Sequence, residues 1–321
     1  MFTEFKNVNA ASFEEASRLI RTHQKERARV ISGGTDILRT IGRKCVSELP
    51  GVLINVKAVA DSAYIREEDG TLRIGSLTTL SGIEESELTK AKWNLLSEAC
   101  GAVGSPQIRN MATLAGSLCQ DVCCWYYRAE RNHYYCLRKG GKGCFAKDGN
   151  NRLMYSIFGA PKELPCYAAC QSDVAVALCA LKGVVRTTQR TIPIEAFYSA
   201  TPSGNALGMD EIITEIEIPT PPTGTKAKYA KFSFRKALDH PLVSVACVHN
   251  QEETKVVIGG VHAKPYDVEG VQDVVKGRKI SEELARKVGE LAVAKAAPMS
   301  MNAWKVEVTR VLAQRTILDL T

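Results

Sequence analysis

The stretch Ala28-Arg-Val-Ile-Ser-Gly-Gly-Thr-Asp-Ile-Leu38 decides how the rest of the chain is read. Ala28-Arg-Val-Ile31 has the apolar, β-branched character of a short strand. It runs straight into Ser32-Gly-Gly-Thr-Asp36. Two adjacent glycines let a backbone take positive φ and come close to a ligand, and their N–H groups can cradle a diphosphate. Alone, a Gly-Gly turn after a strand is most often a plain turn. It is not G-x-G-x-x-G, and no G-x-x-x-x-G-K-[ST] phosphate loop exists in the chain. Gly140-Gly-Lys-Gly-Cys144 has the wrong order and lacks the hydroxyl. A nicotinamide-binding Rossmann domain is therefore not supported.

Working outward, Ser12-Phe-Glu-Glu15 is a capping box, and apolar residues at helical spacing predict a helix over about 13–24. Val52–Val56 and Leu72–Gly75 read as strands, so the first part is α/β in character. Residues 90–102 read as one helix around Trp93, and the turn-rich segment 104–118 follows. Asp173–Leu181 is a buried helix or strand. Val184–Arg186 and Glu211–Ile218 alternate as strands, and Pro219–Gly224 is the best linker. Lys228–Phe234, Val243–His249 and Val256–Val261 read as antiparallel strands. Helices at about 281–296 and 300–315 close the chain.

The 321 residues, 45% hydrophobic and 24% charged, are long enough for two or three domains. Net charge is +7, with the basic residues spread along the chain. That argues against nucleic-acid binding and for docking of an acidic protein. No apolar h-region opens the sequence and no window is long enough to span a membrane, so a cytoplasmic location is expected.

Eleven cysteines without an export signal point to ligands or small core residues rather than disulfides. Cys124, Cys136, Cys144 and Cys166 are strung across one stretch, separated by 11, 7 and 21 residues. Such gaps draw ligands from separate turns of a loop, as an iron–sulfur cubane with one thiolate per iron can use. Structural zinc prefers close C-x2–4-C pairs, and Cys119-x3-Cys123 with Cys166-x3-Cys170 offers that rival set. Cys45, Cys100, Cys179 and Cys247 read as core or surface thiols. Tyr126, Tyr127, Tyr134 and Tyr135 are expected to wall the cysteines from water. The basic residues Arg128, Arg131, Arg138, Lys139, Lys142 and Lys147 read as a solvated face or a dock for an acidic carrier. The five histidines have no ligand spacing.

Several segments in order carry a family resemblance: Ser32–Asp36, Gln107-Ile-Arg-Asn-Met-Ala-Thr-Leu-Ala-Gly-Ser117, Ser172-Asp-Val-Ala175, Asp210–Pro219, and Lys231-x3-Arg235-x3-Asp239. Over nearly the whole chain this resembles the flavin-binding medium subunit of the molybdenum hydroxylases. The resemblance implies an α+β chain: a vanillyl-alcohol-oxidase-like (PCMH-type) FAD-binding domain in two α/β subdomains, 1–57 and 58–220, plus a C-terminal α+β domain over 225–321 with an antiparallel sheet and helices. It implies non-covalent FAD. Ile31, Ser32, Gly33, Gly34, Thr35, Asp36 and Ile37 would hold its diphosphate through backbone amides. Thr113, Ala115, Gly116 and Ser117 would approach the diphosphate and isoalloxazine, with Ala115 standing where the family usually has glycine. Asp173 matches an acid on the ribityl or adenosine side, Ile213 an apolar residue packed on the cofactor, and Lys231 a lysine reaching the isoalloxazine or its phosphate side.

The cysteine-rich insertion at about 119–168 is similar to that of the 4-hydroxybenzoyl-CoA reductase branch. There it implies a 4Fe–4S cluster on Cys124, Cys136, Cys144 and Cys166. The implied role is electron transfer within an oxidoreductase complex, with no catalytic residue in this chain. Ferredoxin electrons would pass through 4Fe–4S and FAD toward 2Fe–2S clusters and molybdenum. The implied partners are a large molybdopterin subunit, a small subunit with two 2Fe–2S clusters and ferredoxin or another external carrier, in a dimer of heterotrimers. The alternatives are a xanthine, N-heterocycle or aldehyde dehydrogenase subunit with outward electron flow, and a zinc-stapled scaffold without redox function.

Overall fold

A computed structural model describes residues 4–199 and 204–321. Three sheets organise it. The first is a small parallel sheet in the order β1 (Lys6–Asn9), β3 (Val52–Asn55), β2 (Arg29–Ile31). Helix Phe13–Thr22 crosses between β1 and β2, as parallel pairing requires. The capping box starts that helix: Ser12 Oγ accepts from Glu15 N at 3.1 Å. Ala16, Ile20, Val52 and Ile54 form the core of this subdomain.

The second sheet is antiparallel and five-stranded. It joins β4 (Ile65–Glu68), β5 (Thr71–Gly75), β6 (Val184–Thr187), β7 (Thr191–Pro193) and β8 (Ile213–Pro219) in the order β4-β5-β8-β6-β7. Its apolar face packs on helices Asn94–Gly101 and Asp173–Ala180 in the largest core of the molecule. The predicted helix over 90–102 is two helices, Glu87–Lys92 and Asn94–Gly101. The break falls at Trp93 (φ −125°, ψ 43°), whose indole is buried and donates to Pro219 O at 3.0 Å. Seating that ring took precedence over helical continuity.

The third sheet is antiparallel, in the order β12-β11-β10-β9, with β9 (Lys226–Phe232), β10 (Val243–His249), β11 (Thr254–Gly259) and β12 (Tyr266–Asp267). Helices Glu282–Leu291 and Trp304–Leu318 cover one face. Helix Asp173–Ala180 lies against the same sheet and is buried along its whole length. That explains why its sequence shows no amphipathic period. Among the described residues no helix is long and apolar enough to cross a membrane.

Residues 119–168 leave the second sheet's subdomain as a loop-rich excursion. Among the described residues its only helical turns are Glu130–Asn132 and Leu137–Lys139. It is tied back by hydrogen bonds from Arg131 N to Arg43 O (3.0 Å), Asn132 N to Lys44 O (2.9 Å) and Ile157 N to Val261 O (2.8 Å).

Candidate flavin and cysteine sites

The two glycine-bearing loops meet. A Cβ on Gly33 would lie 1.9 Å from Met111 O, so only glycine lets the loops approach this closely. Gly34 has φ +74°. Ser32 Oγ and Thr113 Oγ1 share a hydrogen bond at 2.9 Å, and Thr113 Oγ1 also accepts from Gly116 N at 3.2 Å. Thr113 thereby caps helix Leu114–Leu118 and holds Ser32. Leu114 N and Ala115 N are spent on Thr78 O and Ser76 O. By contrast, among the described residues the N–H groups from Gly33 to Ile37 have no protein acceptor. An open run of donors on a glycine turn fits a diphosphate. The sequence-based placement of Ser32–Ile37 and Thr113–Ser117 thus converges on one locus.

Asp173, Ile213 and Lys231 are positioned differently. Lys231 Nζ pairs with Asp173 Oδ2 at 3.1 Å and donates to Ala102 O at 2.6 Å. The other Asp173 oxygen accepts from the Tyr229 hydroxyl. Burial pushes the Asp173 carboxyl up, and Lys231 works against that shift. The acid and the lysine therefore serve each other across the junction of the second and third sheets. Ile213 opens β8 and is buried in the main core. Arg235 pairs with Asp239 on the exposed turn after β9.

His240, which the sequence reading left unassigned, lies in this region. Burial, together with Lys231, Arg128 and Arg39, pushes it down to about 4, so it is neutral at pH 7. No histidine spacing could have flagged it, because its charged neighbours come from distant segments.

Cys124, Cys136, Cys144 and Cys166 line one small cavity with Tyr126, Tyr127, Arg138, Phe145 and Ala146. Arg138 Nε donates to Cys166 Sγ at 3.3 Å, and Cys124 Sγ lies 3.8 Å from the Tyr155 hydroxyl. The Cys144 thiol and then Arg138 hold Cys166 below the usual thiol range. Burial pushes Cys124 and Cys136 up. Four thiols gathered beside an arginine suit a thiolate-ligated cluster, whose net negative charge the guanidinium would offset. As the side chains stand, no three Cys, His, Asp or Glu among the described residues are grouped to hold a single metal ion. The rival zinc set is not gathered either: Cys119 is exposed, Cys170 is buried, and the four are not grouped around a common point. Cys45, Cys100, Cys179 and Cys247 are buried, as expected of core thiols.

Two expectations about the insertion need correction. Arg128 and Arg138 are not part of a solvated face; they are only 6% and 9% exposed. Each has hydrogen-bond partners inside the protein, which sequence pattern cannot show. The four tyrosines do not act alike. Tyr127 is buried, whereas Tyr135 is 51% exposed and walls nothing.

Residues 3–221 match the family described as the FAD binding domain in molybdopterin dehydrogenase, and residues 228–320 match the CO dehydrogenase flavoprotein C-terminal domain. The chain belongs to the FAD-binding medium subunits of the molybdenum hydroxylase family, and is a subunit of an oxidoreductase complex. It is 32% identical, over 91% of its length and 90% of the relative's, to the aldehyde oxidoreductase FAD-binding subunit PaoB of Escherichia coli (strain K12). It is 27% identical to the nicotinate dehydrogenase FAD-subunit of Eubacterium barkeri, over 73% of this chain and 65% of that one. A carbon monoxide dehydrogenase chain from Hydrogenophaga pseudoflava shares the fold, with a TM-score of 0.77 at 18% identity over 100% of this chain and 98% of that one. The α+β, PCMH-type architecture expected from sequence is thereby shown.

Proposed function

We propose that this subunit relays electrons between FAD and a 4Fe–4S cluster held by Cys124, Cys136, Cys144 and Cys166. The observation that carries the proposal is the convergence of these four thiols, from separate turns, on one buried cavity. FAD, when bound, exchanges electrons singly or in pairs and so can link one-electron clusters to a two-electron site. This chain's contribution is to hold it. The open N–H run Gly33–Ile37, with Ile31 and Ser32 leading into it, would hold the diphosphate. Thr113, Ala115, Gly116 and Ser117 form the opposite wall. Asp173 and Lys231 pair with each other at the junction with the third sheet, and Ile213 packs in the same core as Leu114. Tyr126, Tyr127 and Phe145 keep water from the thiols.

The partners in this reading are a molybdopterin-bearing large subunit and a small subunit with two 2Fe–2S clusters, in a dimer of heterotrimers in the cytoplasm. An acidic external carrier such as ferredoxin would dock on exposed Lys142, Lys147 and Arg131. Two directions of flow are in play. The insertion suggests inward flow to reduce 4-hydroxybenzoyl-CoA. The similarity to an aldehyde oxidoreductase subunit favours outward flow from an aldehyde bound in the large subunit.

The test is metal and flavin analysis of the anaerobically purified complex. About four irons and one flavin per chain are expected, with Cys136→Ser losing the cluster signal in electron paramagnetic resonance while keeping FAD. Zinc in place of iron would end the cluster proposal. Turnover assays with aldehydes and with 4-hydroxybenzoyl-CoA then separate the two directions. In the same assays Lys142→Glu/Lys147→Glu should slow electron exchange with the carrier in a salt-dependent way.

A further inference from the structure

Arg128 occupies an unusual position. It lies in the insertion, four residues after the cavity-lining Cys124, and its backbone N–H bonds Cys124 O at 2.9 Å. Its guanidinium turns away from the cavity. Nε donates to Val122 O at 3.0 Å, Nη1 to Thr40 Oγ1 at 2.6 Å, and Nη2 to Asp121 O at 2.8 Å and Asp36 Oδ1 at 2.6 Å. The second Asp36 oxygen accepts from Asp121 N at 3.0 Å. Both carboxylate oxygens of the flavin loop's one acid are therefore held by the insertion. Asp36 directly precedes helix Ile37–Gly42, a position where aspartate ordinarily turns back to accept from the helix's first N–H groups. Here it makes no such bond.

The consequence concerns the loop's own donors. A free Asp36 carboxylate would stand beside the Gly33–Ile37 amides as an unpaired negative charge and repel an approaching diphosphate. Held by Arg128, it is neutralised and turned aside. We infer that Arg128 is a positioning residue for FAD: by holding Asp36 away from the Gly33–Ile37 amides, it makes the order of the cysteine-bearing insertion a condition of flavin affinity. This rests on the flavin reading and is independent of what occupies the cysteine cavity.

Four full-length variants test it by FAD titration and the visible circular dichroism of bound flavin, with far-ultraviolet dichroism reporting the fold. Arg128→Met should weaken FAD at least tenfold, which is about 1.4 kcal/mol. Arg128→Lys, which keeps the charge, should recover most of that loss. Adding Asp36→Asn to Arg128→Met should also restore binding, because the repelling carboxylate is gone; the loss in Arg128→Met should also shrink as salt screens that repulsion, which a purely structural lesion would not show. Thr40→Val removes one Arg128 partner but leaves the Asp36 pair, and should bind FAD as wild type does. If Arg128→Met fails to fold, Arg128→Lys decides the matter, and a tenfold loss of FAD affinity in a folded Arg128→Lys would overturn the inference. A loss in Thr40→Val equal to that in Arg128→Met would assign the effect to packing and overturn it as well. Wild-type affinity in a folded Arg128→Met, or no rescue in the double variant, would also overturn it. A wild-type chain that binds no FAD would instead refute the flavin reading itself.

Discussion

Gly33 shows how much one hydrogen atom can decide. Its α-carbon sits where any side chain would strike the Met111 carbonyl, and that carbonyl belongs to backbone that is itself hydrogen-bonded on both sides, with Met111 N on Ile108 O and Ala112 O accepting from Leu80 N. The neighbour cannot yield cheaply. Gly33→Ala should force the two flavin loops apart, cost about 1–3 kcal/mol of stability and strip FAD during purification. Flavin absorbance per chain checks this, and full flavin retention would show that the loops can separate without penalty. The Gly33-Gly34 pair was legible in the sequence because glycine's conformational range is a local property. The need for glycine at 33 was not, because the obstructing atom lies 78 residues away (111 − 33).

At the scale of elements, the insertion has little regular structure and depends on helix Trp304–Leu318 for its back wall. Lys305, in the first turn of that helix, is fully buried and donates to Leu153 O (2.9 Å), Tyr155 O (2.9 Å) and Gly260 O (2.5 Å). Asn302 adds a bond to Ser156 O at 3.0 Å, and Asn151 Nδ2 reaches Ala146 O at 3.1 Å. Burial pushes the Lys305 amine down to about 7, and in its charged form each of its three protons has a carbonyl. Lys305→Met fills the same channel and leaves those carbonyls without donors. The expected loss is about 3 kcal/mol, since each orphaned carbonyl costs on the order of 1 kcal/mol or more. It would appear as a lower urea midpoint and faster proteolysis within 119–168; an unchanged midpoint would mean other donors replace the lysine. Periodicity located this helix to within a few residues. It gave no sign that a lysine inside it was buried, because the pattern records average polarity and not the partner that satisfies one residue.

Across the whole molecule, the third sheet is joined to the flavin domain by polar contacts that are themselves buried or half-buried. Asp173, Tyr229 and Lys231 form one such junction. Glu98 binds Lys228 Nζ and Tyr229 N, each at 2.9 Å, and Asn94 reaches Ala227 O at 3.1 Å. Lys231→Met would leave Asp173 buried with no cation, a change that typically costs about 3–5 kcal/mol. The sign of its pH dependence follows from the carboxyl. Burial already raises Asp173 in the folded chain, and losing Lys231 raises it further. An acid with a raised folded pKa destabilises the fold as pH rises through that value. The stability gap between wild type and Lys231→Met should therefore be wider near pH 8 than near pH 5. Equal urea-midpoint gaps at the two values would show that Asp173 stays ionised without its partner.

The sequence by itself determined the capping box, the glycine turn, most strands and the terminal helices, and the family signature of the flavin loops; it left Asp173–Leu181 open between helix and strand and missed the break at Trp93. The legible features depend on φ/ψ preference and short-range periodicity, which each segment carries on its own. It also marked the cysteine-rich stretch, but spacing alone left two candidate sets, and the choice of Cys124, Cys136, Cys144 and Cys166 came from the resemblance. Only the tertiary structure decided which charges are internal. Arg128 and Arg138 read as a solvated face, and nothing in the pattern marks Lys305 as buried or Asp173 and Lys231 as a pair, until distant carbonyls, carboxylates and thiols close around them. Burial of a charge depends on its partners, and here those partners come from other segments of the chain.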